Sequence, residues 1–177
     1  YFSGAVGTKN FISSPPTDTI NVSDTTTNNN QLQMQFTGYG EYFIPFGKKF
    51  TIRIGGRGGF IFNNNLYSND LLRIGGLATL RGFDEESIYS NLYGIGTYEM
   101  RYLFDERSYV NIFCDAGYYQ TKTRSGFFDS YVVGFGAGVT FDTKIGIFTF
   151  NYALGTQENS PIDFRRSKIH FGYVNYF

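Results

Sequence analysis

Val110-Asn111-Ile112-Phe113-Cys114-Asp115-Ala116-Gly117-Tyr118 alternates between two characters along its length. Successive side chains of an extended chain point to opposite sides. Val110, Ile112, Cys114, Ala116 and Tyr118 therefore share one face, and Asn111, Phe113, Asp115 and Gly117 share the other. The same period of two recurs on either side of this stretch. Leu32, Met34 and Phe36 oppose Gln33, Gln35, Thr37 and Glu41. Ile52 and Ile54 oppose Arg53 and Arg57. Val133, Phe135, Ala137, Val139 and Phe141 oppose Val132, Gly134, Gly136, Gly138 and Thr140. Charges sit mid-strand on one face only. If the apolar face meets lipid, the charged face must line a lumen, because an ion turned to the bilayer centre costs about 2–4 kcal/mol.

Eight segments carry this alternation: residues 2–9, 31–43, 49–60, 92–103, 108–118, 131–141, 144–154 and 168–177. Several approach the roughly 9–11 residues that a tilted strand needs to cross a bilayer. Their connections alternate in length. Residues 44–48, 105–107 and 142–143 are short, whereas 10–30, 61–91, 119–130 and 155–167 are long. Short periplasmic turns and long extracellular loops are the pattern of an outer-membrane barrel, and they put both ends of the chain on the periplasmic side. The Thr-, Asn- and Pro-rich stretch 13–30 reads as a surface loop. Phe43, Phe46, Phe50, Phe104, Tyr109, Phe141 and Phe177 lie near the short turns, and Tyr93, Tyr118, Tyr119, Phe127, Phe128 and Tyr131 near the long loops. Two such groups fit the two interfacial aromatic belts of a barrel. A soluble sandwich is the competing fold, but it rarely alternates short and long connections so regularly.

Composition agrees. Phe and Tyr make up the 20% aromatic content, and charged residues reach only 17%, against roughly 25% in a soluble domain. The 15 Lys plus Arg balance the 15 Asp plus Glu, which argues against nucleic acid as a partner. The mean hydropathy of −0.25 is what alternating lipid-facing and lumen-facing residues give when averaged. No run of about 20 apolar residues offers a transmembrane helix. The single cysteine, Cys114, excludes an intramolecular disulfide and is predicted to face lipid. The single histidine, His170, has neither His nor Cys beside it for a metal and cannot be built into a Ser-His-Asp arrangement, so it reads as a lumen or seam residue. Gly134, Gly136 and Gly138 precede no helix and no Lys-Ser/Thr pair. They read as strand glycines leaving room for a packed loop rather than as a nucleotide loop. Glu85 and Glu86 read as a solvated pair. No enzyme activity and no cofactor are expected. The chain begins at Tyr1, without initiator Met or signal peptide, and is expected to be a mature chain or a fragment.

The long connection contains Arg73-Ile74-Gly75-Gly76-Leu77-Ala78-Thr79-Leu80-Arg81-Gly82-Phe83. A paired glycine followed by Arg-Gly-Phe resembles the signature loop of the BamA/TamA assembly-factor (bacterial surface antigen) superfamily. Glu99-Met100-Arg101 is similar to that family's Glu-aromatic-Arg strand, and Phe113-Cys114-Asp115-Ala116-Gly117 to its Phe-x-Asp-x-Gly strand. Gly134-x-Gly136-x-Gly138, with Gly146 and Asn151-Tyr152-Ala153, resembles the penultimate hairpin. The last segment, with Ile169, Phe171, Tyr173 and Phe177 on one face and His170 and Gly172 as a polar-x-Gly start, resembles the C-terminal recognition strand of outer-membrane barrels. Asn175 departs from it, since an apolar residue is usual there.

The resemblance implies an all-β, antiparallel transmembrane β-barrel over residues 1–177. Its eight strands would be the C-terminal half of a sixteen-stranded barrel, with a signature loop at 61–91 and a terminal recognition strand at 168–177. In that family the loop folds into the barrel, so Arg81 is expected to fork to Glu99 and Asp115 and latch Gly82 and Phe83 inside. A solvated loop arginine is the alternative. Gly75, Gly76 and Gly82 would permit tight turns and close approach, unless they are ordinary loop glycines. The implied function is insertion of nascent outer-membrane proteins through a lateral seam in the bacterial outer membrane, with strand edges pairing to the incoming chain. Gly172 and Asn175 would weaken packing along that seam. Implied partners are outer-membrane lipid, nascent outer-membrane proteins, accessory lipoproteins, and a missing N-terminal barrel half with POTRA domains. An isolated half would be expected to close or to form a homodimer. A translocation pore or phospholipase-associated anchor of the same superfamily, or a self-contained eight-stranded structural or adhesive barrel, are the alternatives. The sequence leaves open the client proteins, the accessory partners and whether eight strands is the natural length.

Overall fold

A computed structural model describes residues 2–10, 30–63, 66–123, 126–158, 160 and 162–175. The strands, in chain order, are β1 (Phe2–Asn10), β2 (Asn30–Phe46), β3 (Phe50–Phe62), β4 (Leu72–Ile74), β5 (Ile88–Ser90), β6 (Leu92–Leu103), β7 (Tyr109–Thr123), β8 (Gly126–Thr143), β9 (Gly146–Gln157) and β10 (Lys168–Val174). Eight of them form one antiparallel sheet in the order β1-β2-β3-β6-β7-β8-β9-β10. Among the described residues β1 and β10 are its two edges and do not pair with each other. The described residues thus form an antiparallel sheet of eight strands that is not closed on itself.

The two faces of the sheet differ as the alternation requires. On β7, Asn111, Phe113 and Asp115 are buried while Val110, Ile112 and Cys114 are exposed. Ile54, Phe60, Tyr98, Met100, Tyr152, Ile169 and Phe171 extend the exposed apolar face across β3, β6, β9 and β10. An apolar surface this continuous is far beyond what a soluble monomer leaves in water, and it is what a lipid-facing wall requires. Across the last three strands it is tied together by rings: Phe141 stacks on Phe148 at 5.5 Å, Phe148 meets Tyr173 at 4.7 Å, and Phe150 meets Phe171 at 4.9 Å.

The connection 119–130 is not a long loop. β7 runs on to Thr123 and pairs with β8 from Gly126, so these residues continue the ladder as a projecting hairpin. Its Thr, Lys and Tyr side chains suit a strand beyond the membrane as well as a loop, so polarity alone did not separate the two. The aromatic belts are also thinner than expected. Phe43, Phe46, Phe50, Phe104, Phe127, Phe128 and Tyr131 are exposed. Tyr119 instead faces inward, only 6% exposed, with Tyr93 packed on the same cluster, and the rings of Phe43 and Tyr109 lie within reach of the inward Arg101 guanidinium. Odd positions of β7 face the lumen, so the alternation overrides the belt at Tyr109 and Tyr119. The surface loop expected over 13–30 falls almost entirely outside the described residues, as does Phe177.

Candidate functional site

The connection from β3 to β6 folds onto the inner face of the sheet. Ile74, Leu80 and Ile88 from this loop bury against Ile95 of β6, Tyr119 of β7 and Val132 of β8. A second cluster joins Leu66 and Leu71 to Ile61 at the end of β3. Leu80 is fully buried, which stabilises docking by about 1.5–3 kcal/mol. The loop has its own frame: β4 and β5 pair from Leu72↔Ser90 to Ile74↔Ile88, and Gly76 and Leu80 exchange backbone hydrogen bonds of 3.0 and 3.1 Å. Gly75 and Gly76 have φ of 119° and 89°, a region that side chains other than glycine rarely enter, and they open the turn that Leu80 closes just before Arg81.

Arg81 then meets two carboxylates supplied by neighbouring strands. Its Nε and Nη2 donate to Asp115 Oδ2 and Oδ1, both at 2.8 Å, a two-pronged fork. Its Nη1 donates to Glu99 Oε2 at 2.6 Å, and its backbone N–H donates to Asp115 Oδ2 at 3.2 Å. The guanidinium carbon stands 3.5 Å from the centre of the Phe113 ring, which closes the remaining side with a cation–π contact. Thr97 Oγ1 donates to Asp115 Oδ1 at 2.9 Å. Glu99 also accepts from Arg101 Nε at 2.6 Å and from Arg53 Nη1 at 3.2 Å, and Arg53 bonds onward to Glu41. Three guanidiniums (Arg53, Arg81, Arg101) thus face three carboxylates (Glu41, Glu99, Asp115), and the formal charges cancel. Neutrality matters because burying unpaired charge is prohibitive. Burial alone would lower the Arg81 pKa. The bonds and charge of Asp115, then those of Glu99, outweigh it, so the pKa is raised and the group stays charged. Beside this network lies a cavity of about 350 Å³ lined by Arg53, Arg57, Arg101 and Asn151 among others.

The loop is also fastened to β10. The Gly82 N–H donates to His170 Nε2 at 3.0 Å, which makes that nitrogen an acceptor and places the imidazole proton on the other one. Lys168 Nζ pairs with Asp84 Oδ1 at 2.7 Å. A side chain at Gly172 would come within 2.6 Å of Leu77, and one at Gly82 within 2.6 Å of the Leu154 backbone. At Gly134 a side chain would run into the Arg81 carbonyl, and at Gly155 into the Gly82 carbonyl. Glycines on β8 and β9 therefore let the loop backbone lie directly on the sheet, and the one on β10 admits the Leu77 side chain.

A family model described as the Omp85 superfamily domain matches residues 19–177. The chain belongs to the Omp85 superfamily. A search of curated proteins finds no match. Omp85 barrels are outer-membrane barrels, and the superfamily's general work is insertion or translocation of proteins at that membrane. In this Omp85 chain Arg81, Glu99 and Asp115 come together, Gly82 takes a φ of 94° beside them, and Phe83 packs half-buried on the loop's apolar cluster. Ile169, Phe171 and Tyr173 share the outer face of β10. Gly172 faces the lumen, and its missing side chain makes room for Leu77 of the docked loop. Glu85 is also more than a solvated carboxylate, since its Oε2 accepts from the Leu77 N–H at 3.2 Å; Glu86 pairs with Arg73 at 3.4 Å. Reading the residues did not identify Phe113 as the floor under Arg81, Arg53 and Arg101 as further partners of Glu99, or His170 as the acceptor for Gly82. The sequence signal for all four is the inward register shared with Asp115, Glu99 and Gly172.

Proposed function

We propose that this Omp85 domain is the C-terminal half of a sixteen-stranded outer-membrane assembly barrel that inserts other barrel proteins into the bacterial outer membrane. The observation that carries the reading is the signature loop fastened to the inner face of β10, through Gly82 to His170 and Asp84 to Lys168. On this reading β10 is the strand to which an incoming strand pairs, and the clamp holds it in a defined register. Nascent outer-membrane proteins are the clients, accessory lipoproteins assist, and strand pairing needs no covalent chemistry. The other edge, β1, joins an N-terminal half preceded by POTRA domains, or a second copy of this chain when the half is isolated. The docked loop supports the half-barrel over a self-contained one. An eight-stranded interior is only wide enough for side chains, whereas here a loop with its own two-stranded sheet lies along the inner face.

The test is site-specific cross-linking in a Cys114→Ser background. A cysteine at Asn175, exposed just beyond β10, is expected to trap a client during its insertion, while a cysteine at Ile112 on the lipid face of the central strand β7 is not. Consistent absence of client adducts at Asn175 in actively inserting membranes would refute the seam.

A further inference from the structure

The bond between the signature loop and the edge strand runs through a group that can take up a proton. The Gly82 N–H donates to His170 Nε2 at 3.0 Å, and both residues are buried. The backbone of Gly82 is held where it is. Its φ is 94°, a side chain on it would come within 2.6 Å of the Leu154 backbone, and its carbonyl occupies the space that a side chain at Gly155 would need. Among the described residues the imidazole nitrogen is the one acceptor this N–H has. Arg81, Asp84 and Glu85 of the loop and Lys168 of β10 are the charged groups acting on the ring, two of each sign. Each is already engaged: Arg81 with Asp115 and Glu99, Asp84 with Lys168, and Glu85 with the Leu77 N–H. From β9 the residue opposite His170 is Asn151, which is uncharged. No carboxylate pairs with the imidazole among the described residues.

A neutral imidazole can accept this bond and a charged one cannot. Imidazolium carries a proton on both nitrogens, so Nε2–H would face the Gly82 N–H at bonding distance, two donors with no acceptor between them. A buried donor left without an acceptor is unfavourable. Docking of Gly82 on β10 therefore requires the neutral ring. A ring from which the loop has lifted is free to take up a proton near its ordinary value of about 6.5. The lifted state thus binds one more proton than the docked one. The bond is fully present above about pH 6.5 and is lost as pH falls, with docking weakened by up to about tenfold for each further unit. We propose that His170 makes the fastening of the loop to β10 a proton-sensitive joint: mild acid frees Gly82 from the edge strand while Arg81 keeps the loop on β6 and β7. The Arg81 fork contains no imidazole, and carboxylates ordinarily titrate near about 4, below the range in which histidine does. The Lys168–Asp84 pair survives in the same range, but its carboxylate is mostly exposed and a pair of this kind contributes little. The joint stands on the geometry of one bond and does not depend on what the barrel inserts.

The experiment follows hydrogen exchange of the Gly82 and Arg81 amides in the native protein in membranes, between about pH 7.5 and about pH 5, a range that brackets the ordinary imidazole titration. Exchange chemistry slows alike for two neighbouring amides as pH falls, so the ratio of their rates reports the difference in protection. Gly82 is expected to gain on Arg81 across this range by about tenfold. A ratio that stays level would overturn the proposal. His170→Gln places a side-chain carbonyl, an acceptor that does not titrate, at similar reach. This variant is expected to keep the ratio level, and a rise equal to that of the wild type would show that another group titrates and would overturn the joint. If His170→Gln does not assemble, the nitrogen NMR signal of the wild-type ring decides, because His170 is the single histidine and its signal needs no assignment. Protonation in step with the exposure of Gly82 is the expected result. A ring that becomes charged while Gly82 stays protected would overturn the proposal.

Discussion

Replacing Arg81 by alanine is expected to free the signature loop while the eight-stranded sheet stays intact. Asp115 would be left buried with Thr97 as its one remaining side-chain partner, and Glu99 would keep only Arg53 and Arg101. Removing one partner of a buried ion pair costs about 3–5 kcal/mol, because the survivor is desolvated without compensation. That penalty falls on the docked loop and not on the ladder. The loop can undock and rehydrate both carboxylates, whereas the strands hold each other through backbone bonds. The readout is cleavage after Glu85 and Glu86 by a glutamate-specific protease, which avoids the tryptic site that the mutation deletes. The rate is expected to rise by about two powers of ten or more, as a change of this size in the opening equilibrium implies. Arg81→Lys should lie between, since an ammonium keeps the charge but loses the two-pronged fork. Added salt should change little in the wild type, because the pair is buried from the ions that would screen it.

A second large effect is expected at a position carrying no functional group. In Gly134→Val the new side chain points into the Arg81 carbonyl. The obstruction is backbone, which cannot rotate away as a side-chain tip would. Overpacking a fitted site costs about 1–3 kcal/mol, and a blocked backbone lies at the upper end. The variant retains Arg81, Glu99, Asp115 and Phe113, yet is expected to match Arg81→Ala in the protease assay. Gly94→Ala, where an added Cβ meets nothing within 4 Å, is the control and should behave as wild type. Wild-type resistance in Gly134→Val would show that the loop does not lie on β8.

Much of this was legible from residue order, and the reasons can be named. The bounds of β6 coincide with the expected segment 92–103, because Leu92 to Leu103 alternates without interruption. The inward face of β7 follows from Asp115 alone. Arg81, Glu99 and Asp115 were brought together by resemblance and by the shared face. What sequence did not supply was register. Arg53 sits directly opposite Glu99, and Glu99 opposite Phe113, only because β3, β6 and β7 pair as they do. A one-residue slip would turn every one of these side chains to lipid. His170 was placed in the lumen or seam without a partner, since its bond to Gly82 spans 88 residues of chain. The small sheet of β4 and β5 was missed because three residues are too few for alternation to be read. Tyr119 departs from the expected belt because an aromatic near a strand end fits a belt as well as a core, and only the parity of its position decides.

These pieces make one mechanical unit. Arg81 fixes the loop to the middle of the sheet, where β6 and β7 lie, and Gly82, Leu77 and Asp84 fix it to β10 at the edge. On the proposed function, an edge strand held from its inner face would leave its backbone groups open to an added strand. The loop thereby supports the edge without covering it.

The most direct test of this account is hydrogen exchange of the Arg81 and Gly82 backbone amides in the native protein in membranes. Each has one named acceptor, Asp115 Oδ2 and His170 Nε2. If the loop is docked, both amides exchange as slowly as those of β6 and β7 in the same sample. Exchange at the rate of an unprotected chain, while β6 and β7 remain protected, would mean that the loop does not rest on the sheet, and the clamp on the edge strand would have to be abandoned.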